Sequence, residues 1–287
     1  MCTVCGCGGD EHHHEHEHDH DHAHSHEHGH HHHSPHNVMD LHFGRGPAHA
    51  HAPGLSQGRM VKIEQDIMAK NAQYADGNRR HFHAHDILVL NLMSSPGSGK
   101  TTLLTQTLKL LQLQLEHALS VIEGDQQTSQ DAERIRATGV PAVQINTGKG
   151  CHLDAHMIRH ALENLQPADH SIVFIENVGN LVCPAGFDLG EAAKVVILSV
   201  TEGEDKPLKY PDMFHVADLV LLNKIDLLPH IDFDVERCIE YIQRIKPNVE
   251  VMQVSARSGE GMANWCTWIK AQAKINECVA RQDSAQV

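Results

Sequence analysis

Three cysteines fall within the first seven residues, "MCTVCGC", and "GSGKTT" stands at residues 97–102. Each stretch is a chemical device by spacing alone. Cys2, Cys5 and Cys7 form Cys-x-x-Cys-x-Cys, which lets three thiolates converge on one ion without any fold. A terminal amine, exposed on removal of Met1, supplies a fourth donor. Three sulfurs and one nitrogen fit tetrahedral zinc and equally permit square-planar nickel. A redox pair is the alternative for Cys-x-x-Cys, but no strand precedes it and no helix start follows to depress a thiol pKa.

The second device is a phosphate loop. In "DILVLNLMSSPGSGKTTLLTQTLKLLQLQL" an apolar run of strand length leads through a Gly/Ser/Pro turn into a helix-period pattern. Ser94 stands where the strict pattern has glycine, so the match is relaxed at that end. Gly97, Ser98, Gly99, Lys100, Thr101 and Thr102 are intact. Their backbone N–H groups and the helix N-terminus suit phosphate; Lys100 would reach the β- and γ-phosphates and Thr101 a Mg²⁺ ion. A glycine turn before a helix is the plainer reading of the same residues.

Asn223-Lys224-x-Asp226 closes another apolar run, about 120 residues later. An aspartate there accepts from both N1–H and the 2-amino group of guanine, and adenine offers the wrong donors. Ser255 and Ala256, after a later strand, suit the loop that closes on the guanine edge. GTP is therefore the expected nucleotide. Asp125 and Glu176 end two intervening strands, where ligands of open α/β sheets collect, and are candidates for the magnesium shell and catalysis. Charged strand ends are also commonly just solvated turns. Gly179 could move with the γ-phosphate. No arginine finger or glutamine base is evident, so slow hydrolysis carried by Mg²⁺ and Lys100 is expected.

The elements that must position these groups are legible as alternating segments. Strands are expected near 87–94, 119–124, 140–146, 171–177, 195–201, 217–223 and 249–255, with helical stretches between them. That is an α/β fold: a mostly parallel, doubly wound sheet with helices on both faces. A helix over Arg59–Asn78 precedes the first strand. Residues 1–55 read as a disordered Cys/His-rich tail and 56–287 as one P-loop GTPase domain.

From His12 to His33 histidine alternates with acids and small residues, a pattern that buries nothing and offers many overlapping imidazole ligand sets. A purification tag or an inert spacer is the plainer reading, although interleaved acids and the preceding cysteines argue against a tag. The net charge of −14 leaves no basic patch for nucleic acid. There is no apolar run of membrane-spanning length and no signal peptide, and eight cysteines then read as reduced thiols. A cytoplasmic protein that binds neither membrane nor nucleic acid is expected.

The stretches "SSPGSGKTTLL", "EGDQQTSQDAERI", "NTGKGCHLDAHM", "IENVGNLVCPAGFDLGE", "KPLKYP" and "LLNKIDLLP" resemble the HypB family, the nickel-incorporation GTPases of [NiFe]-hydrogenase maturation. The likeness spans about residues 86–256, and "CTVCGCGG" adds to it. It implies a GTPase that forms a homodimer when GTP-bound and assists nickel insertion into the hydrogenase large subunit precursor. It also implies a HypA-like nickel chaperone as partner. Cys2, Cys5 and Cys7 match the family's tight nickel site; Cys151, His152 and Cys183 match a weaker site for Ni²⁺ or Zn²⁺. Read without the resemblance, Cys151 and Cys183 fit small buried hydrophobes equally well. His156 and His160 read as surface histidines. Cys238, Cys266 and Cys278 read as core or incidental thiols, and Trp265 and Trp268 as packing. The competing classes are a metal buffer with a residual GTPase and a maturation GTPase for another nickel enzyme.

Overall fold

The computed structural model describes residues 57–125, 130–148 and 150–284. The expected tail, with Cys2, Cys5, Cys7 and the histidine tract, lies outside the described residues. Seven strands form one sheet: β1 (Leu88–Ser94), β2 (Leu119–Asp125), β3 (Ala142–Asn146), β4 (Ile172–Glu176), β5 (Ala193–Ser199), β6 (Leu219–Asn223) and β7 (Glu250–Gln253). Their spatial order is β3-β2-β4-β1-β5-β6-β7, and every pairing is parallel. Among the described residues eight α-helices accompany them: α1 (Gln57–Ala84), α2 (Lys100–Gln112), α3 (Gln130–Arg136), α4 (Ala155–Leu165), α5 (Lys206–Lys209), α6 (Pro211–Val216), α7 (Val235–Ile245) and α8 (Met262–Ser284).

The period-2 alternation of β side chains sorts the helices onto two faces. Leu88, Leu90 and Leu92 of β1, with Val195 and Ile197 of β5, pack under α2 and α8. Val89, Val173 and Ile175 face α1 and α4, while Val196, Leu198, Val220 and Leu222 face α6 and α7. Trp265 of α8 is 1% exposed, and its indole N–H donates to Thr107 Oγ1 of α2 at 2.9 Å. This clamps the helix whose first turn carries Lys100 and Thr101. Trp268 stacks on Trp265 at 5.5 Å. Cys238 and Cys266 are buried and Cys278 is exposed, as their helical patterns suggest.

Helix α1 runs six residues beyond its expected end at Asn78. The Gly77–Asn78 pair is a poor helix continuation by propensity. Tertiary contacts override it: Asn78 is buried, and its amide donates to the carbonyls of Ala155 and Leu189 at 2.8 and 3.0 Å. Among the described residues no helix is long and apolar enough to cross a membrane.

Candidate functional site

Sheet order alone creates a cleft. β1 and β5 are neighbours, yet the chain leaves β1 towards β2 on one side and β5 towards β6 on the other, so the crevice opens beyond the strand ends at that point. The cleft, about 580 Å³, is lined by Gly97–Thr102 together with Glu123, Asp125, Glu176 and Gly179. Gly97 and Gly99 have φ of 75° and 91°, the left-handed conformation that such a loop needs and that side chains resist. A Cβ on Gly99 would also lie 2.8 Å from the Asn223 amide nitrogen.

Lys100 and Thr101, opening α2, both meet the end of β4. Lys100 Nζ lies 3.1 Å from Glu176 Oε1, and Thr101 Oγ1 donates to the same oxygen at 2.6 Å. Glu176 is 1% exposed, and its other oxygen has no hydrogen-bond partner. Glu123 Oε2, also buried at the cleft, is unpartnered too. A divalent cation, or water held by one, answers the orphaned Glu176 oxygen, and Thr101 and Asp125 line the same cleft, so these three residues fit magnesium. Burial first, then the Glu176, Asp125 and Asp131 carboxylates, push Glu123 up to about 8 against the opposing Lys100 ammonium.

The candidate guanine reader is assembled beside the phosphate loop. The Asn223 amide donates to the Ser98 carbonyl at 2.9 Å, and Lys224 Nζ to that of Gly97 at 2.6 Å. Ser255 Oγ donates to Asp226 Oδ1 at 2.6 Å, and the Ala256 N–H approaches Asn223 Oδ1 at 3.4 Å. Residues as far apart in sequence as Gly97 and Ala256 are thus brought into one array by β1, β6 and the loop after β7.

A second candidate site is made of residues that do not line the cleft. The ligand atoms of Cys151, His152 and Cys183 all fall within 4.8 Å of one another. Cys151 Sγ is 3.5 Å from His152 Nδ1, already near the edge of a tetrahedron drawn with bonds of about 2.0–2.3 Å. Both cysteines are buried, and the His152 ring packs on Phe187 at 3.9 Å. Burial lowers the His152 pKa, opposed by Asp154, which favours the neutral imidazole that metals require.

Both acidic strand ends lead to this triad. Asn177 follows Glu176, and its Oδ1 accepts the Leu153 N–H at 3.2 Å. The Asn177 amide in turn donates to Asn91 Oδ1 within the core. From the other side, Thr147 N–H donates to the Asp125 carbonyl at 2.9 Å, and Thr147 Oγ1 to the Gly150 carbonyl at 2.8 Å. Gly124 packs so closely on Leu153 that a Cβ there would sit 2.8 Å from its side chain.

Residues 88–253 match the CobW/HypB/UreG nucleotide-binding domain family. Over 234 residues the chain is 70% identical to the hydrogenase maturation factor HypB of Azotobacter chroococcum, covering 82% of this chain and 76% of that one. The chain belongs to the HypB family. The Escherichia coli K12 HypB is 60% identical over 233 residues, 81% of this chain and 80% of its own. Helicobacter pylori HypB, solved in complex with nickel, superposes with a TM-score of 0.67 at 40% identity, covering 72% of this chain and 96% of that one.

Within this HypB-family cleft, two residues escaped the sequence reading. Glu123 stands inside β2, two residues before the strand end at Asp125. Its signal was phase: Leu119 and Val121 face the α2 side of the sheet, and the alternation carries Glu123 to the same side at the mouth of the cleft. Arg134 of α3 lines the cleft as well, donating to Thr102 Oγ1 at 3.0 Å and to Asp131 at 3.1 Å. An arginine inside a short helix carries no local mark of that role.

Proposed function

We propose that this chain hydrolyses GTP and uses the nucleotide cycle to control nickel held by Cys151, His152 and Cys183, serving its insertion into a [NiFe]-hydrogenase large subunit precursor. The reading is carried by one observation: Asn177 ties the strand end that holds Lys100 and Thr101 to the backbone of the cysteine–histidine loop. The nickel-bound relative supports the choice of cargo.

Gly97–Thr102 would cradle the phosphates, and Asn223, Lys224, Asp226, Ser255 and Ala256 would select guanine. Magnesium, held through Thr101, Asp125 and Glu176, supplies charge neutralisation on the phosphates. Nucleotide binding must then take Lys100 and Thr101 away from Glu176, and that rearrangement reaches Leu153 through Asn177. Turnover is expected to be slow: among the described residues lining the cleft the cations are Lys100, Arg134 and Lys224, and Lys224 belongs to the candidate guanine reader.

Two thiolates and one imidazole leave a tetrahedral ion one donor short. A GTP-dependent homodimer completes the shell by pooling ligands across a two-fold axis. Zinc suits the same ligands. In this reading residues 1–55 are a separate metal-holding tail, with Cys2, Cys5 and Cys7 as its tight site, and residues 56–287 are the GTPase domain. The protein works in the cytoplasm with a HypA-like chaperone.

Nickel and zinc affinities, with and without a non-hydrolysable GTP analogue, test this on the intact chain and on a Cys2/Cys5/Cys7→Ala variant. The variant should lose one tight nickel and keep a site that responds to nucleotide. A remaining site indifferent to nucleotide would sink the proposal.

A further inference from the structure

Helix α4 carries a second cluster of metal-ligating side chains, outside the triad. His156 and His160 stand one turn apart on its exposed face, where positions i and i+4 are neighbours. Their Nε2 atoms point at each other across 3.1 Å, with ring centroids at 4.5 Å and planes at 87°. Two nitrogens each bonded to one ion at about 2.0–2.1 Å stand about 2.9–3.4 Å apart for right-angled to tetrahedral bites. The observed separation lies inside that interval.

The surroundings match what a ligating imidazole needs. His160 presents its other nitrogen, Nδ1, to Glu163 Oε2 at 3.3 Å. A carboxylate on the distal nitrogen fixes the tautomer that leaves Nε2 free to ligate and raises its basicity. The His156 ring is held edge-on by Tyr74 of α1, centroids 4.7 Å apart. Both histidines are exposed, so water can complete the coordination shell and metal can enter directly from solution.

We propose that His156 and His160 form a surface chelate for borderline divalent transition metals, Ni²⁺, Cu²⁺ or Zn²⁺, with Glu163 as the positioning residue. Imidazole pairs of this type favour those ions over Mg²⁺ or Ca²⁺. The site adjoins the triad: His156 and Phe187 line one cavity of about 140 Å³ between α1 and α4, and Phe187 packs on His152 at 3.9 Å. That placement suits a landing position for metal on its way to or from the buried cysteines. The chelate itself does not depend on how the triad is used.

The test uses the full-length, nucleotide-free chain, labelled with diethyl pyrocarbonate while Ni²⁺ or Zn²⁺ is titrated past saturation of every histidine-rich segment. Peptide mass spectrometry separates His156 and His160 from all others. Both should lose labelling together as metal rises. In Glu163→Gln the metal concentration giving half-protection should rise roughly tenfold. In His156→Ala, His160 should stay labelled at every metal concentration, since one imidazole does not chelate. The proposal fails if metal leaves both labelling rates unchanged, or if His160 is protected equally well in His156→Ala. Either outcome would make the 3.1 Å contact an ordinary hydrogen bond between neutral rings.

Discussion

Asn177 Oδ1 accepts the backbone N–H of Leu153 at 3.2 Å, and both residues are buried. Asn177 adjoins Glu176, the carboxylate on which Lys100 and Thr101 converge, and Leu153 adjoins His152. The end of β4 at the nucleotide cleft and the cysteine–histidine loop are therefore joined directly by a buried hydrogen bond. Replacing Asn177 with Ala should uncouple them. Nickel affinity measured with GDP and with a non-hydrolysable GTP analogue should converge to one value, and the orphaned N–H should cost about 1–3 kcal/mol of stability. Two affinities that still differ as in the parent chain would place the coupling elsewhere.

Lys100→Ala should lower GTP turnover by two orders of magnitude or more, on the scale of losing one preorganised charge donor, about 10²-fold. Nickel binding at Cys2, Cys5 and Cys7 should be unchanged, because that site depends on local spacing. Single-turnover hydrolysis and metal titration on one preparation separate the two effects. An equal loss in both would contradict the division into tail and GTPase domain.

Asp226→Ala should erase the preference for GTP over ATP, a discrimination of at least about 10²-fold. It also removes the acceptor for Ser255 Oγ, which lies 2.6 Å away. Competition binding with the two nucleotides reads the outcome directly. Retained preference would mean that the base is recognised by other groups.

Glu123 titrates at about 8 when folded, against an ordinary 4.5. Between those values the folded chain keeps a proton that the unfolded chain releases. Stability of the nucleotide- and metal-free protein should therefore fall as pH rises through that window, by at most about 1.4 kcal/mol per pH unit, and level off above it. Glu123→Gln should remove this slope and gain relative stability at the alkaline end. Urea unfolding midpoints across the window, for both chains, decide it. Parallel curves would show that Glu123 is ionised throughout.

Arg134→Ala should slow hydrolysis while leaving nucleotide affinity nearly intact, because its guanidinium meets Thr102 and Asp131 at the rim of the cleft, not its floor. A kcat effect without a matching KM effect would place Arg134 in the transition state. The reverse pattern would make it a ground-state contact.

The amino-acid sequence by itself determined the devices whose chemistry is local. A glycine loop between an apolar strand and a helix presents converging N–H groups, so Gly97–Thr102 could be picked out as a candidate phosphate loop. So could Asn223–Asp226, and the alternation of strands and helices that makes the sheet parallel. The tertiary structure decided what depends on register between distant segments. Strand order put β4 between β1 and β2: the first neighbour sets Glu176 against Lys100, and the second, whose Gly124 packs on Leu153, brings that residue to Asn177. Glu123 and Arg134 were hidden for the same reason: their roles come from the direction in which a strand or helix presents them. Burial and pairing across the chain set that direction, and neither is written in the residues on either side.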